Sequence, residues 1–158
     1  MNKLILIILT SLMISCIQKS DKNIQGKWIQ GSEEEKLETI EMQFRGFDMV
    51  MFETGYRYQE LYWAGQDQNW EYADYQLEKI RKTIKNGLIR RPKRAQSAEQ
   101  FMNEVIPKME VALDSKDTTL FNSSFIMLTK GCLNCHTKEN VPHFTVKKPL
   151  NRVSPIRK

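Results

Sequence analysis

Apolar side chains recur every three or four positions between residues 32 and 137, which is the period of helices with one buried face. Clusters of turn-forming residues interrupt this pattern, and the segments between them predict four helices. The first helix opens with a capping box at residues 32–35 and runs unbroken to Ala64 or Gly65, where glycine suits a left-handed cap. Its predicted buried stripe is Leu37, Ile40, Phe44, Phe47, Met51, Tyr58 and Leu61.

The second and third helices are predicted from the same period and from their end signals. Asp67 is placed to cap the second helix, which we expect to stop at Asn86 or Gly87 and to be followed by a basic loop at residues 90–94. Ser97 opens the third helix, within which Pro107 predicts a kink because proline removes a backbone donor. The two stripes are Trp70, Ala73, Leu77, Ile80 and Ile84, then Phe101, Val105, Met109 and Ala112.

The fourth helix begins near Asp117 or Thr118 and completes the predicted fold. One of its faces carries Phe121, Phe125, Leu128, Cys132 and Cys135. Because the connections are short, consecutive helices should be antiparallel neighbours. The expected architecture is therefore an all-α, up-down-up-down four-helix bundle, in which the end of the fourth helix lies beside the earlier part of the first.

Near the C-terminus, the run Cys132-Leu133-Asn134-Cys135-His136 is the attachment pattern of a c-type haem. On a helical turn both sulfurs can form thioethers with one porphyrin, and His136 becomes the proximal iron ligand. A zinc knuckle would need more ligands than the remaining His143 supplies. A thioredoxin-like dithiol would need a βαβ setting that this helical sequence lacks. The motif predicts one covalent haem c with its iron.

The N-terminus predicts export and lipidation. A short apolar run, residues 4–14, follows Lys3 and is well below the ~20 residues that cross a bilayer, so residues 1–15 are interpreted as a signal peptide. Cys16 follows Ser15 as in a bacterial lipobox, although Met13 stands where that pattern prefers leucine. An ordinary secretory signal with a spare thiol is the alternative. Lipid on Cys16 would anchor the protein to a membrane facing the periplasm, where haem is also attached.

The remaining organisation is simple. Residues 16–31 are polar and aperiodic and are predicted to form a flexible tether, residues 32–137 the four-helix domain, and residues 138–158 an irregular tail containing prolines. Without Lys3 the chain carries 23 basic and 19 acidic side chains, too mild an excess to indicate nucleic-acid binding. Eight of the basic residues lie within residues 79–94, a run without acids. It is either a solvated helix end or a docking surface for an acidic redox partner.

Four helices with a haem motif near the C-terminus resemble the class II cytochromes c, the group of cytochrome c′ and its low-spin relatives. The run Phe44-Arg45-Gly46-Phe47-Asp48-Met49 is similar to an aromatic-arginine segment of that family, whose distal residue comes four after the arginine. The resemblance implies Met49 as sixth iron ligand, with Arg45 beside the cofactor. Counting helical levels leaves Met42, Met49 and Met51 as candidates, of which Met51 fits the apolar stripe best. Two alternatives are left open: His143 as the sixth ligand, and an iron with no methionine ligand.

The expected function is electron transfer between redox proteins, which needs axial ligation and partner docking but no catalytic acid or base. The alternative is a cytochrome c′-like protein whose five-coordinate iron binds nitric oxide or carbon monoxide. A peroxidase-like activity stays open because Arg45 is one turn from Met49. A homodimer is compatible with the resemblance and is left open.

Overall fold

The computed structural model of the chain describes residues 24–156, and all regular structure in this range is helical. The chain divides into two compact units, Met1–Phe44 and Arg45–Lys158. The predicted signal peptide, Cys16 and the first half of the predicted tether lie outside the described residues. Within the described range, no helix combines the length and apolar character that crossing a membrane requires.

The first unit contains helix α1, Glu33–Gln43. Its predicted capping box is confirmed: Ser32 Oγ accepts a hydrogen bond from the Glu35 amide at 3.2 Å, and the Ser32 amide donates to Glu35 Oε2 at 2.6 Å. No residue of α1 is buried, and Leu37 is 63% exposed. The prediction that Leu37 and Ile40 belong to a buried stripe is therefore wrong, because three apolar side chains among acidic ones give this short helix little to bury.

The predicted long first helix is also wrong, since α1 ends at Gln43 and the next helix begins at Phe47. Arg45 has a φ of 58°, in the left-handed region, and Gly46 is extended. Helical hydrogen bonding cannot continue through two such residues. Gly46 also leaves the start of the next helix without a side-chain cap.

The second unit is a helical bundle made of four stretches. The first two are α2 (Phe47–Gln66) and α3 (Trp70–Arg90). The third consists of α4 (Ala95–Gln100), a π-helix (Phe101–Val105) and α5 (Ile106–Asp114), and the fourth is α6 (Thr118–Lys138). The most extensive packing is between α2 and α3, and α5 and α6 contact each other and the first pair.

Two boundaries of α3 differ from the prediction. Its N-cap is Asn69, whose side chain accepts a hydrogen bond from the Tyr72 amide, rather than Asp67. The helix also continues through Gly87 to Arg90. A Cβ at Gly87 would lie 2.7 Å from a methyl carbon of Val50, so this glycine lets α2 approach α3 instead of ending the helix.

The third stretch starts at Ala95, so the predicted start of this helix at Ser97 is wrong. A short 3₁₀ helix, Pro92–Arg94, precedes it where a loop was expected. The irregularity predicted at Pro107 takes the form of the π-helix that ends two residues before it. Proline has no N–H to pair with the carbonyl one turn before it. A π-turn accommodates that unpaired carbonyl without interrupting the helix.

The core of the bundle is aromatic along α6. Phe121 and Phe125 are fully or almost fully buried and stack with ring centroids 5.9 Å apart. Tyr58 and Tyr62 of α2 lie 4.7 and 5.0 Å from the Phe125 ring. Phe121 fits only because residue 65 is glycine, since a Cβ there would be 2.0 Å from its Cζ. This close approach fixes α2 against α6.

Gly65→Ala should destabilise the protein by about 1–3 kcal/mol, because the buried Phe121 ring has no room to yield. Gly55→Ala is a matched control on the same helix, where a Cβ meets no atom within 4 Å. The control should stabilise α2 by about 0.5–1 kcal/mol. Urea unfolding measures both changes. If Gly65→Ala did not lower the stability, the close packing of Phe121 against residue 65 would be contradicted.

Candidate functional site

The last two turns of α6 carry the cysteine-histidine motif, and the predicted start of this helix is confirmed. Asp117 caps it by accepting a hydrogen bond from the Leu120 amide at 2.7 Å. From there Phe121, Phe125 and Leu128 are buried, and Cys132 packs against the same core. The helical period thus carries the thiol of Cys132 toward the interior, as predicted.

Cys132, Cys135 and His136 line one apolar groove in which all four stretches of the bundle meet. The cavity itself is small, about 40 Å³, within about 370 Å³ of empty space that includes its open mouth. Its other walls come from α2, α3, α4 and the π-helix: Phe47, Met51, Thr54, Ile84, Ala98 and Phe101. The three motif residues therefore converge on a largely apolar surface.

Both thiols are free and face weakly polar surroundings. Burial raises the pKa of the Cys132 thiol to about 12, and burial together with the nearby Glu139 raises the pKa of Cys135. At neutral pH both sulfurs are protonated. A redox-active dithiol depends on a thiolate with a lowered pKa, so this environment differs from that of a thioredoxin-like site.

The imidazole of His136 is oriented by the chain that follows α6. Its Nδ1 lies 2.6 Å from the carbonyl oxygen of Phe144. A carbonyl only accepts, so Nδ1 carries the proton and Nε2 of the neutral ring keeps its lone pair. Histidines that bind metals commonly donate their second ring nitrogen to a carbonyl in this way.

Side-chain contacts hold the motif against its neighbours. Asn134, between the two cysteines, donates from Nδ2 to Gln100 Oε1 of α4 at 2.8 Å. Arg94 forms an ion pair with Glu139 just past α6, and its guanidinium lies 5.1 Å from the centroid of the Phe47 ring at the groove. The end of the basic run is thereby joined to the rim of the site.

The described part of the tail beyond α6, up to residue 156, has no regular secondary structure and packs along the bundle. Tyr58 donates a hydrogen bond to the Lys147 carbonyl at 3.2 Å and shares one with Thr129 at 2.7 Å. Farther along, Arg152 donates to Asp67 Oδ1 at 2.6 Å and lies 4.9 Å from the centroid of the Trp63 ring. These contacts hold the segment whose carbonyl orients His136.

The predicted sixth ligands separate on α2. Met51 lines the groove and packs on the core, whereas Met49 is half-buried but lies outside the groove lining. Residues two apart differ by about 200° around a helix, so Met49 and Met51 face nearly opposite directions. The structure therefore brings Met51, and not Met49, together with His136.

Other candidate residues are not part of the groove lining. Arg45 is exposed and forms an ion pair with Asp48 at 3.4 Å. His143 is exposed beside Phe144, with its ring 4.4 Å from the phenyl centroid. Met42 belongs to the first unit and is 63% exposed. The structure places none of these residues among those that line the groove.

Several groove residues were not identified from the sequence. Thr54 is seven positions after Phe47 and three after Met51, so helical spacing places all three on one face of α2. That spacing could have identified Thr54. Ala98, and the carbonyl of Phe144 behind His136, carry no comparable pattern, because their positions depend on packing of the third stretch and the tail.

No family model matches the chain, and no curated protein or solved structure is similar enough to count as a match. Among residues 24–156, no group of three or more His, Cys, Asp and Glu side chains is arranged to hold a metal ion. The donor set of the groove is two thiols and one imidazole, which suits covalent attachment of a planar macrocycle with one axial ligand.

Arg152→Ala should loosen the tail, because Asp67 and the Trp63 ring lose their common partner. Loss of about 1–2 kcal/mol would raise the population of the detached tail roughly 5- to 30-fold. Limited trypsin digestion after Lys147 should accelerate accordingly. Arg45→Ala removes an exposed ion pair elsewhere and should leave the rate unchanged. Equal rates for all three proteins would mean that other contacts hold the tail.

Proposed function

We propose that the protein is a c-type cytochrome that carries electrons in the periplasm on one covalently attached haem. The observation that carries the proposal is the convergence of Cys132, Cys135 and His136 on one apolar groove. The contact between His136 Nδ1 and the Phe144 carbonyl supports His136 Nε2 as the proximal iron ligand. When bound, the haem supplies reversible one-electron exchange between ferrous and ferric iron.

A porphyrin needs more room than a cavity of about 40 Å³, so attachment requires the groove to widen. The start of α2 is suited to this movement. It carries Phe47 and Met51 into the groove, and its N-terminus has no side-chain cap. Helix starts without a cap fray more readily than capped ones. The residues of α6, in contrast, belong to a capped helix anchored in the core.

Met51 is our proposed sixth ligand, in place of the Met49 suggested by the resemblance to class II cytochromes c. The support is its position on the groove-facing side of α2, which Met49 does not share. A thioether ligand raises the reduction potential of haem iron, as an electron carrier requires. An apolar wall around the site also keeps water from the iron and favours the less charged ferrous state.

Partner docking is proposed for the basic run at residues 79–94. Arg94, the last residue of this run, contacts Phe47 at the groove. The positive surface formed by the run therefore lies beside the proposed site of electron exchange. Lys82, Lys85, Arg91 and Lys93 are exposed along it. An acidic redox protein steered there would approach the haem edge, and no nucleic-acid partner is proposed.

The cellular setting and the topology are also part of the proposal. Lipid on Cys16 would anchor the protein to a bacterial membrane facing the periplasm, with residues 16–31 as tether. An up-down-up-down helix order is proposed for the bundle. It is supported by the shared groove, which takes Phe47 from the first turn of α2 and His136 from the last turn of α6. A homodimer is compatible with the proposal.

Replacing both motif cysteines, Cys132→Ala with Cys135→Ala, should abolish covalent haem when the full chain is produced in a host with haem-attachment machinery. Each single replacement should leave at most one thioether. Haem staining of the protein after denaturing electrophoresis measures retention. Wild-type protein without covalent haem under these conditions would overturn the proposed function.

The third cysteine supplies the matched control. Cys16→Ser should retain covalent haem at the wild-type level, since residue 16 is not part of the motif. It should also move the protein from the membrane fraction to the soluble periplasmic fraction. Continued membrane attachment of this variant would contradict lipidation at Cys16 without affecting the haem assignment.

Met51→Leu should convert a low-spin haem spectrum to a high-spin one and lower the reduction potential, because leucine cannot ligate iron. The substitution nearly conserves volume, so its cost in stability should be about 1.5 kcal/mol or less. Met49→Leu is the control and should leave the spectrum unchanged. A spin change in Met49→Leu alone would return the ligand to Met49.

A wild-type protein that is already high-spin would instead support the alternative, in which open iron binds nitric oxide or carbon monoxide. The apolar lining of the groove suits a small uncharged gas as well as it suits a porphyrin edge. Absorption spectra of the ferric and ferrous protein, before and after addition of carbon monoxide, separate the two functions.

A further inference from the structure

The hydroxyl group of Thr54 differs from the other groups in the groove. Thr54 is only 7% exposed, and its Oγ1 has no hydrogen-bond partner among the described residues 24–156. It lines the groove together with Cys132, Cys135 and His136. A buried hydroxyl without a partner lowers stability, so any rearrangement of the groove that gives it an acceptor is favoured.

Three other helical threonines satisfy their hydroxyls locally. Thr39, Thr129 and Thr137 each donate to the carbonyl four residues before them, at 2.8–2.9 Å. This back-bonding is the usual solution for threonine in a helix. Thr54 lies in the interior of α2, where the carbonyl of Val50 is available in the same way, yet its hydroxyl does not use it.

Helical spacing places Thr54 next to the proposed iron ligand. Met51 precedes it by three positions, and both side chains line the groove. A thioether sulfur is a weak acceptor that a neighbouring hydroxyl can reach. Thr54 is the only residue of the groove lining that has a hydroxyl group, and it lies one helical turn from Met51.

We propose that Thr54 is a positioning residue whose hydroxyl donates a hydrogen bond to the sulfur of Met51 when Met51 ligates the haem iron. This inference rests on the proposed function. The bond would hold the Met51 side chain in its ligating orientation. It would also withdraw electron density from the sulfur, which disfavours the ferric state and raises the reduction potential.

The test uses the holoprotein, full length, with Thr54→Val and Thr54→Ser. Valine keeps the shape of threonine but removes the hydroxyl, whereas serine keeps the hydroxyl. Redox titration should show Thr54→Val shifted toward the oxidised form by about three- to tenfold in the equilibrium constant, the effect of one hydrogen bond. Thr54→Ser should stay near the wild-type value. Thr83→Val, at a half-buried threonine of α3 outside the groove, should have no effect.

A double-mutant cycle with Met51→Leu identifies the acceptor. In that background Thr54→Val should no longer change the potential, because the sulfur is gone. A persistent effect would mean that the hydroxyl binds something else, and an equal loss in the valine and serine variants would mean that shape matters instead. Either result would overturn the proposal, as would an unchanged potential in Thr54→Val with covalent haem intact.

A second measurement does not depend on the haem. In the full chain produced without haem-attachment machinery, Thr54→Val should raise the urea midpoint or leave it unchanged, because it removes an unpartnered buried hydroxyl. A lower midpoint would show that Thr54 already has a partner within the chain, contrary to the proposal. Absence of haem from the wild-type holoprotein preparation would instead refute the proposed function itself.

Discussion

One buried face of α6 determines where everything else in the second unit can lie. Phe121, Phe125 and Leu128 have almost no exposed surface, and Cys132 continues their line toward the end of the helix. Helices α2 and α3 pack around the aromatic part of this face, with Gly65 allowing Phe121 to approach α2. The groove forms where the same face runs out of aromatic residues. Core packing and the position of the thiols therefore depend on one helical phase.

The sequence predicted those features that are local. The α6 start at Asp117, the capping box of α1 and the buried stripe of α6 follow from short-range spacing and were confirmed. The errors occurred where two helices approach closely or where one residue leaves helical geometry. Gly87 serves contact with Val50 rather than termination, and the left-handed conformation of Arg45 separates α1 from α2. Neither event has a pattern in the residues around it.

The candidate site shows the same division. The convergence of the cysteines and His136 follows from one motif on one helix, and its helical setting could be predicted. The choice between Met49 and Met51 depends on how α2 is rotated about its axis, which packing against α3 and α6 decides. Packing also neutralises part of the positive charge of the basic run. Arg81 and Arg94 of the basic run are engaged by Glu110 and Glu139, so fewer cations remain for a partner than the sequence suggests.

The tail spans nearly the whole length of the bundle between two fixed points. Its Phe144 carbonyl contacts His136, and its Arg152 contacts Asp67 at the far end of α2. Eight residue steps reach at most about 26–29 Å, so the segment between these contacts can lose few residues before one of the contacts must break. Most of its side chains are exposed, so related chains should tolerate substitutions here far better than deletions.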